Sequence, residues 1–116
     1  MLYFLSCLKK LKHFSEAIMI RHILLLTFTS DTKEQQLTTI RDTAISIQYA
    51  IKGISSIEWG DNISSENKNK GFTHAIVMTF DDRKVLADYL YHPAHDKLKE
   101  LLLDSVDDII VFDYEA

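Results

Sequence analysis

The sequence is poor in the residues that mark secreted, fibrous or disordered proteins. It contains one cysteine, Cys7, one proline and three glycines among 116 residues. A single cysteine cannot form an internal disulfide, so nothing indicates an oxidising compartment and we expect a cytoplasmic protein. With 47% apolar and 26% charged residues, the chain is instead typical of one globular domain with its own core.

An excess of positive charge is also missing. The chain has 13 basic and 17 acidic residues, which give a net charge of −4. Such a surface has no broad attraction for phosphate backbones or anionic lipids, so we expect no nucleic-acid and no membrane partner. The apolar run at residues 2–8 is much shorter than the roughly 20 residues that a membrane-spanning helix requires.

The first eighteen residues differ from the rest of the chain. Their apolar run, 2–8, precedes a group of lysines at 9–12, whereas a secretory signal carries its positive charges before the apolar run. We interpret residues 1–18 as an N-terminal extension that arises from a start codon upstream of a natural start at Met19. The alternative is a short amphipathic helix whose leucines pack on the domain. The domain itself is predicted to span residues 19–116.

The hydrophobic periodicity predicts two helices among four strands. The predicted strands cover 20–28, 54–62, 72–80 and 107–114. The first predicted helix runs from a cap at Ser30 or Asp31 to about residue 52, and the second begins at a cap on Asp81 or Asp82. Pro93 interrupts the second helix, because the residue before a proline is kept out of the α region. The order β-α-β-β-α-β indicates a ferredoxin-like α+β fold, with two helices on one face of a four-stranded antiparallel sheet.

Both faces of this sheet are apolar, so the face without helices also needs a cover. We predict that the uncovered face carries His22, Leu24, Leu26 and Phe28 beside Phe72, Ile76 and Met78. A patch of that size on a monomer is a liability. The simplest cover is a second copy of the same sheet, so we predict a two-fold homodimer with ligand space between the sheets or between sheet and helices.

The strongest local signal is the motif Tyr-x-x-His-Pro-x-His, which runs from Tyr89 to His95. A helix that ends in this motif resembles the stress-responsive A/B-barrel (Dabb) family, and the resemblance covers residues 19–116. Other agreeing stretches are Ile20–Ile23, Glu58–Gly60, Gly71–Ala75 and Val111–Tyr114. The resemblance implies a ferredoxin-like domain that pairs into a dimeric α/β barrel. Many members of the family have no assigned reaction, and some plant members are associated with stress.

The resemblance also implies a set of polar pocket residues. One plant member of the family closes the ring of a linear polyketide thioester by an aldol reaction, and His22, His74, Tyr89 and His95 match its polar pocket positions. By this resemblance His95 is the base, Tyr89 orients it or donates to the carbonyl, and His22 and His74 line the floor. Imidazole and phenol suit these roles, because aldol closure needs a base and an oxyanion donor. Ala44 replaces a pocket tyrosine of that cyclase, which opens space and removes a hydroxyl, so the substrate is not carried over.

Each of these residues also has a structural interpretation. His22 and His74 suit core histidines that are hydrogen-bonded to each other or to the backbone. His92 either lines the ligand pocket or caps the broken helix through a ring hydrogen bond. His92 and His95 have i, i+3 spacing, but Pro93 breaks that geometry and no Cys or carboxylate cluster joins them, so we predict no metal and no cofactor.

Three functions therefore stay open at the level of sequence. The first is a homodimer that binds a small apolar or carbonyl-containing ligand in a pocket lined by His and Tyr. The second is a cofactor-free enzyme, of the aldol polyketide-cyclase or monooxygenase type, that uses His95 as its base. The third is a structural or interaction protein without a ligand, in which the histidines only hold the sheet together.

Overall fold

The structure, a computed structural model, describes residues 18–116, so the interpretation of residues 1–18 lies, apart from Ile18, outside the described residues. The elements are β1 (Ile20–Phe28), α1 (Glu34–Ala50), β2 (Ile54–Asp61), β3 (His74–Phe80), α2 (Arg83–Leu90), α3 (Pro93–Leu103) and β4 (Val106–Glu115). They form the predicted ferredoxin-like α+β fold, which is confirmed. The second predicted helix consists of two helices, α2 and α3.

The sheet has the strand order β2-β3-β1-β4, and every neighbouring pair is antiparallel. β1 therefore lies inside the sheet, while β2 and β4 are its edges. The register places Leu24 opposite Ile76 on one side and opposite Val111 on the other. Side chains from three strands thus meet in rows that cross the sheet, and these rows decide which polar residues become neighbours.

The start of the first helix differs from the prediction. α1 begins at Glu34 rather than at a cap on Asp31, and the Lys33 backbone N–H donates to Gln36 Oε1 at 2.8 Å. A turn comes first, because the Thr32 N–H donates to the Thr29 carbonyl at 3.1 Å. This turn holds Asp31 outside the helix, so the predicted cap on Asp31 is wrong.

The break at Pro93 and the cap of the second helix are confirmed. Asp82 Oδ1 accepts a hydrogen bond from the Val85 N–H at 2.9 Å, which caps α2. Pro93 is the first residue of α3, where a missing N–H costs nothing. His92 Nδ1 accepts from the Ala94 N–H at 3.0 Å, so the ring hydrogen bond of the capping interpretation is present.

The predicted assignment of the two sheet faces is wrong. Leu24, Leu26, Ile76 and Met78 lie on the helix-covered face, where they are buried together with core residues of α1. The other face, which we call the open face, carries Ile23, Leu25, Ala75, Val77, Ile110, Phe112 and Tyr114. Alternation separates the two faces but does not say which one the helices cover, because both are apolar.

β4 exposes large apolar side chains that are neighbours along one strand. Phe112 is 60% exposed, and Ile110 and Tyr114 are 42% exposed each. β4 is an edge strand, so one row of its backbone groups is also free to pair. Among the helices of residues 18–116, none combines the length and the apolarity that a bilayer crossing requires.

Candidate functional site

Tyr89 is the centre of a cluster of rings between the sheet and the helices. Its ring centroid lies 4.7 Å from that of His95, 5.4 Å from Phe80 and 5.8 Å from His22. Tyr89 is 1% exposed, although it belongs to a helix whose other residues are mostly exposed or half-buried. Three of the predicted polar residues, His22, Tyr89 and His95, are thus brought together by β1, α2 and α3.

His22 is held by a carboxylate from the last strand. His22 Nδ1 lies 2.5 Å from Asp113 Oδ1, and the two residues are direct partners in the register of β1 and β4. An ionised carboxylate only accepts, so Nδ1 of His22 donates the hydrogen bond. The sequence reasoning missed Asp113 as a site residue. The signal was the alternation of β4, which places Asp113 on one face with Ile109 and Val111.

His95 is held by the end of the helix before it. Its Nδ1 lies 3.0 Å from the carbonyl oxygen of Leu90. A carbonyl oxygen only accepts, so Nδ1 carries the proton and Nε2 of the neutral imidazole carries the lone pair. The break at Pro93 produces this contact, because Leu90 ends α2 and His95 lies in the first turn of α3.

The surroundings of His95 favour its neutral form. Burial lowers the pKa of the His95 imidazole below its ordinary value of 6.5, and the charges of Lys99 and His22 lower this pKa further. The hydrogen bond to Leu90 and the charge of Asp96 act in the opposite direction. His95 is only half-buried, so its ring is accessible from solvent. Its Nε2 lone pair is therefore available to a substrate at neutral pH.

The surroundings of Tyr89 favour its protonated form. Burial raises the pKa of the Tyr89 phenol above its ordinary value of 10.0. The hydroxyl therefore remains a hydrogen-bond donor at every physiological pH. A neutral imidazole with a free lone pair beside a protonated phenol is a base and donor pair, which is the requirement for proton transfer next to a carbonyl group.

His74 does not join this cluster. The register pairs His22 with Met78 but Leu26 with His74, so the two histidines are four residues apart along the sheet, or about 13 Å. His74 Nδ1 lies 2.7 Å from Thr73 Oγ1 and its Nε2 lies 3.4 Å from Asp61 Oδ1. His74 therefore lies outside the ring cluster and packs with other aromatic rings, and its predicted place in the floor of the ligand pocket stays a prediction. Those rings are Phe28 and Trp59.

The two remaining predicted site residues, Ala44 and His92, lie on α1 and at the start of α3. Ala44 is fully buried on α1, in the same core as Tyr89 and Phe80. His92 caps α3 with Nδ1, which leaves only Nε2 for other contacts. Within residues 18–116, no group of three or more His, Cys, Asp or Glu side chains is arranged to hold a metal ion.

Two relatives are similar in sequence to this chain over most of their length. The chain is 28% identical over 96 residues to the stress-response A/B barrel domain-containing protein HS1 of Arabidopsis thaliana, covering 83% of this chain and 88% of HS1. It is 26% identical over 95 residues to olivetolic acid cyclase of Cannabis sativa, covering 82% of this chain and 94% of the cyclase.

A solved structure has the same fold. The crystal structure of a dimeric ferredoxin-like protein from Jannaschia sp. CCS1 superposes with a TM-score of 0.77 at 22% identity, over 84% of this chain and 99% of that one. At that identity the similarity establishes the fold alone. The sequence profile of the stress responsive A/B barrel domain matches residues 20–116. The chain therefore belongs to the stress responsive A/B barrel domain family.

Proposed function

We propose that this protein is a cytoplasmic homodimer that binds a small carbonyl compound beside Tyr89 and His95, and that His95 removes a proton from the carbon next to the carbonyl. One observation carries the proposal. Nδ1 of His95 donates to the Leu90 carbonyl at 3.0 Å, so the basic lone pair is on Nε2. A base that is fixed in one tautomer by the backbone is prepared for proton transfer before the substrate arrives.

The proposed step uses only groups of the cluster. The bond between carbon and hydrogen breaks, the proton moves to His95 Nε2, and the electron pair becomes an enolate. The Tyr89 hydroxyl donates a hydrogen bond to the enolate oxygen, and the imidazolium returns its proton to the product. Burial supports both roles, because it keeps His95 neutral and Tyr89 protonated.

His22 is proposed to position the cluster rather than to react. Its ring lies against those of Tyr89 and Phe80, and Asp113 fixes its orientation. A buried histidine with one nitrogen bound to a carboxylate is a rigid neighbour, which restricts the rotation of the Tyr89 ring. We include His22 in the ligand site because its Nε2 makes no hydrogen bond to any residue in 18–116.

A relative supports a reactive role, while one difference limits the choice of substrate. Olivetolic acid cyclase, which is 26% identical, is named for a ring-forming reaction. Ala44 is fully buried here, and the resemblance matches this alanine with a pocket tyrosine. We therefore propose a substrate class of small carbonyl compounds with an apolar body, and not the substrate of that cyclase.

The homodimer is proposed to form through the open face. Phe112 and Tyr114 expose large apolar surfaces there, and the structural neighbour from Jannaschia is described as dimeric. Apolar side chains that lie side by side on one sheet face are stabilised when a second copy removes them from water.

Deuterium uptake tests the proton transfer without knowledge of the product. Simple ketones and β-keto thioesters are incubated with the protein in D₂O. NMR then follows the loss of the signal from the protons on the carbon next to the carbonyl group. We expect uptake above the spontaneous rate with the natural sequence. His95→Gln should lower the enzymatic rate about 10²–10⁴-fold, the usual contribution of a general base.

Tyr91→Phe is the matched control, because the Tyr91 side chain is 89% exposed and lies outside the ring cluster. This variant should exchange at the rate of the natural sequence, and Tyr89→Phe should be slower by roughly 10²-fold through loss of the oxyanion donor. Exchange that survives His95→Gln would exclude His95 as the base. Exchange at the spontaneous rate with every compound would contradict the proposed chemistry.

A structural role for the histidines is the second candidate, and one observation favours it. His22 is 4% exposed and its contact with Asp113 joins β1 to β4. If this is the whole role, substitutions at His22 lower stability and change neither ligand binding nor proton exchange. Thermal denaturation with and without the ketones separates the two candidates, since a bound ligand raises the midpoint.

A further inference from the structure

A row that contains two small residues, Gly60 and Ala75, crosses one end of the open face. Gly60 pairs with Ala75, Ala75 pairs with Leu25, and Leu25 pairs with Ile110, so one row contains a residue of every strand. A Cβ atom at Gly60 would meet no other atom within 4 Å. Because Gly60 has no side chain and Ala75 has only a methyl group, a cleft of about 400 Å³ is left at this row. Its volume lies within the usual range for small-molecule sites.

The loop between β2 and β3 forms the rim of this cleft. The Phe72 N–H donates to the Asn69 carbonyl at 2.9 Å, which closes a turn whose central residues are Lys70 and Gly71. Both have positive φ, at 55° for Lys70 and 85° for Gly71. Glycine accepts such a conformation readily, but a lysine does not. The turn is anchored to β1, because Thr27 Oγ1 donates to the Gly71 carbonyl at 3.0 Å.

The rim carries positive charge that the described protein does not neutralise. Lys68 and Lys70 line the cleft, and neither makes an ion pair with a residue in 18–116. Asp61 also lines it, but its carboxylate lies 3.4 Å from His74 Nε2. A strained lysine without an ion-pair partner among the described residues suggests a role towards a bound anion.

We infer that this cleft binds an anionic amphiphile, a carboxylate on an apolar body. The carboxylate contacts Lys68 and Lys70, and the apolar body lies along Leu25 and Ile110. The charges are complementary, and the floor of the row is apolar. This site is separate from the ring cluster, because none of the four clustered rings lines it.

The cleft is compatible with the proposed homodimer. Its row contains Leu25 and Ile110, whereas Arg21 and Tyr114 form the row four residues further along β1, about 13 Å away. A second copy on the open face would contact the large side chains near Phe112 and Tyr114 first. Gly60 and Ala75 have little side chain to contribute to that interface, so the cleft remains as a chamber at one end of it.

Three probes with the same apolar body test the inference. Decanoate, 1-decanol and decylamine are titrated below their aggregation concentrations, and binding is followed by calorimetry and by amide NMR shifts at Gly60, Gly71 and Ala75. We expect decanoate to bind at least about tenfold more tightly than the alcohol or the amine, and its affinity to fall with added salt. Equal affinities for the three probes, or no binding of decanoate, would overturn the inference.

Two kinds of variant separate the charge from the apolar floor. The double variant Lys68→Gln with Lys70→Gly should reduce the affinity for decanoate to that for decanol. The glycine also tolerates the positive φ at position 70, so it relieves the backbone strain there. Lys52→Gln with Lys97→Gln is the matched control, since it removes the same charge from exposed sites outside the cleft. If both double variants bind decanoate equally well, the assigned lysines are wrong.

Gly60→Val should abolish decanoate binding by filling the floor of the row. The backbone accepts this change, because the added Cβ meets nothing within 4 Å and valine suits a strand. Unchanged amide spectra elsewhere verify the fold, and unchanged decanoate affinity contradicts the assigned location.

His95→Gln should bind decanoate like the natural sequence. Loss of binding in His95→Gln would overturn this second site and leave the proposed chemistry of the ring cluster intact.

Discussion

His22 Nδ1 lies 2.5 Å from Asp113 Oδ1, so the first and last strands are joined by side chains as well as by their backbone ladder. The imidazole is almost completely buried, whereas the Asp113 side chain is 40% exposed. The ring also packs against Tyr89, which in turn packs against His95. The contact therefore connects the edge strand β4 to the candidate site, and its removal has consequences for both stability and function.

Asp113→Ala should lower the free energy of unfolding by about 1–3 kcal/mol, because it leaves a buried ring N–H without an acceptor. Urea denaturation at neutral pH measures the change. Asp107→Ala is the control, since Asp107 is an exposed aspartate of the same strand. We expect the control to change the free energy by less than about 0.5 kcal/mol. Equal effects of the two substitutions would show that the contact with His22 contributes nothing.

Acidification should destabilise the protein through His95. Because burial lowers its pKa in the folded state, the unfolded chain binds more protons than the folded chain at pH values below the ordinary pKa of 6.5. The free energy of unfolding therefore falls as the pH falls from about 6.5. Urea titrations at several pH values should show a shallower fall for His95→Gln. Identical pH profiles would mean that the folded-state pKa of His95 is unperturbed.

Phe112→Glu should dissociate the proposed homodimer, because it places a carboxylate in the apolar part of the open face. Light scattering should give twice the chain mass of 13.4 kDa for the natural sequence and the single mass for the variant. Tyr49→Glu is the control, as Tyr49 is 84% exposed on α1, away from the open face. A variant Phe112→Glu that remains dimeric would place the interface elsewhere.

Gly53→Ala should be strongly destabilising. Gly53 has a φ of +99°, and an added Cβ would lie 2.6 Å from Val85 Cγ2. The left-handed conformation alone costs about 1–2 kcal/mol with a side chain, and the collision adds to it. Thermal denaturation should show partial recovery in the double variant with Val85→Ala, which removes only the collision. Gly60→Ala has neither problem, and should be neutral or stabilising by roughly 0.5–1 kcal/mol.

Local patterns were sufficient to predict the elements because their signals are short-range. The alternation of β1, the glycine stop at Gly53, the cap at Asp82 and the break at Pro93 all act within a few residues of the chain. The start of α1 could not be predicted, since the turn from Thr29 to Thr32 competes with the cap on Asp31 and the sequence contains both signals.

The candidate site was predictable only where its residues share a motif. Tyr89 and His95 belong to one stretch of sequence, and the structure brings their rings to 4.7 Å. Asp113 escaped the prediction because its partner His22 is 91 residues away along the chain. The separation of His74 from His22 was not predictable, because the pattern of a strand gives a face but no position along the sheet.

The sequence by itself determined the order of strands and helices, the break at Pro93, the membership of Tyr89 and His95 in one motif, and the apolar character of both sheet faces. Only the tertiary structure decided which face the helices cover, which nitrogen of His95 holds the lone pair, and that His22 contacts Asp113 while His74 contacts Asp61. The physical reason is the same in each case. Periodicity and capping act over a few residues, whereas coverage, tautomer and contact depend on a register between strands that are distant in the chain.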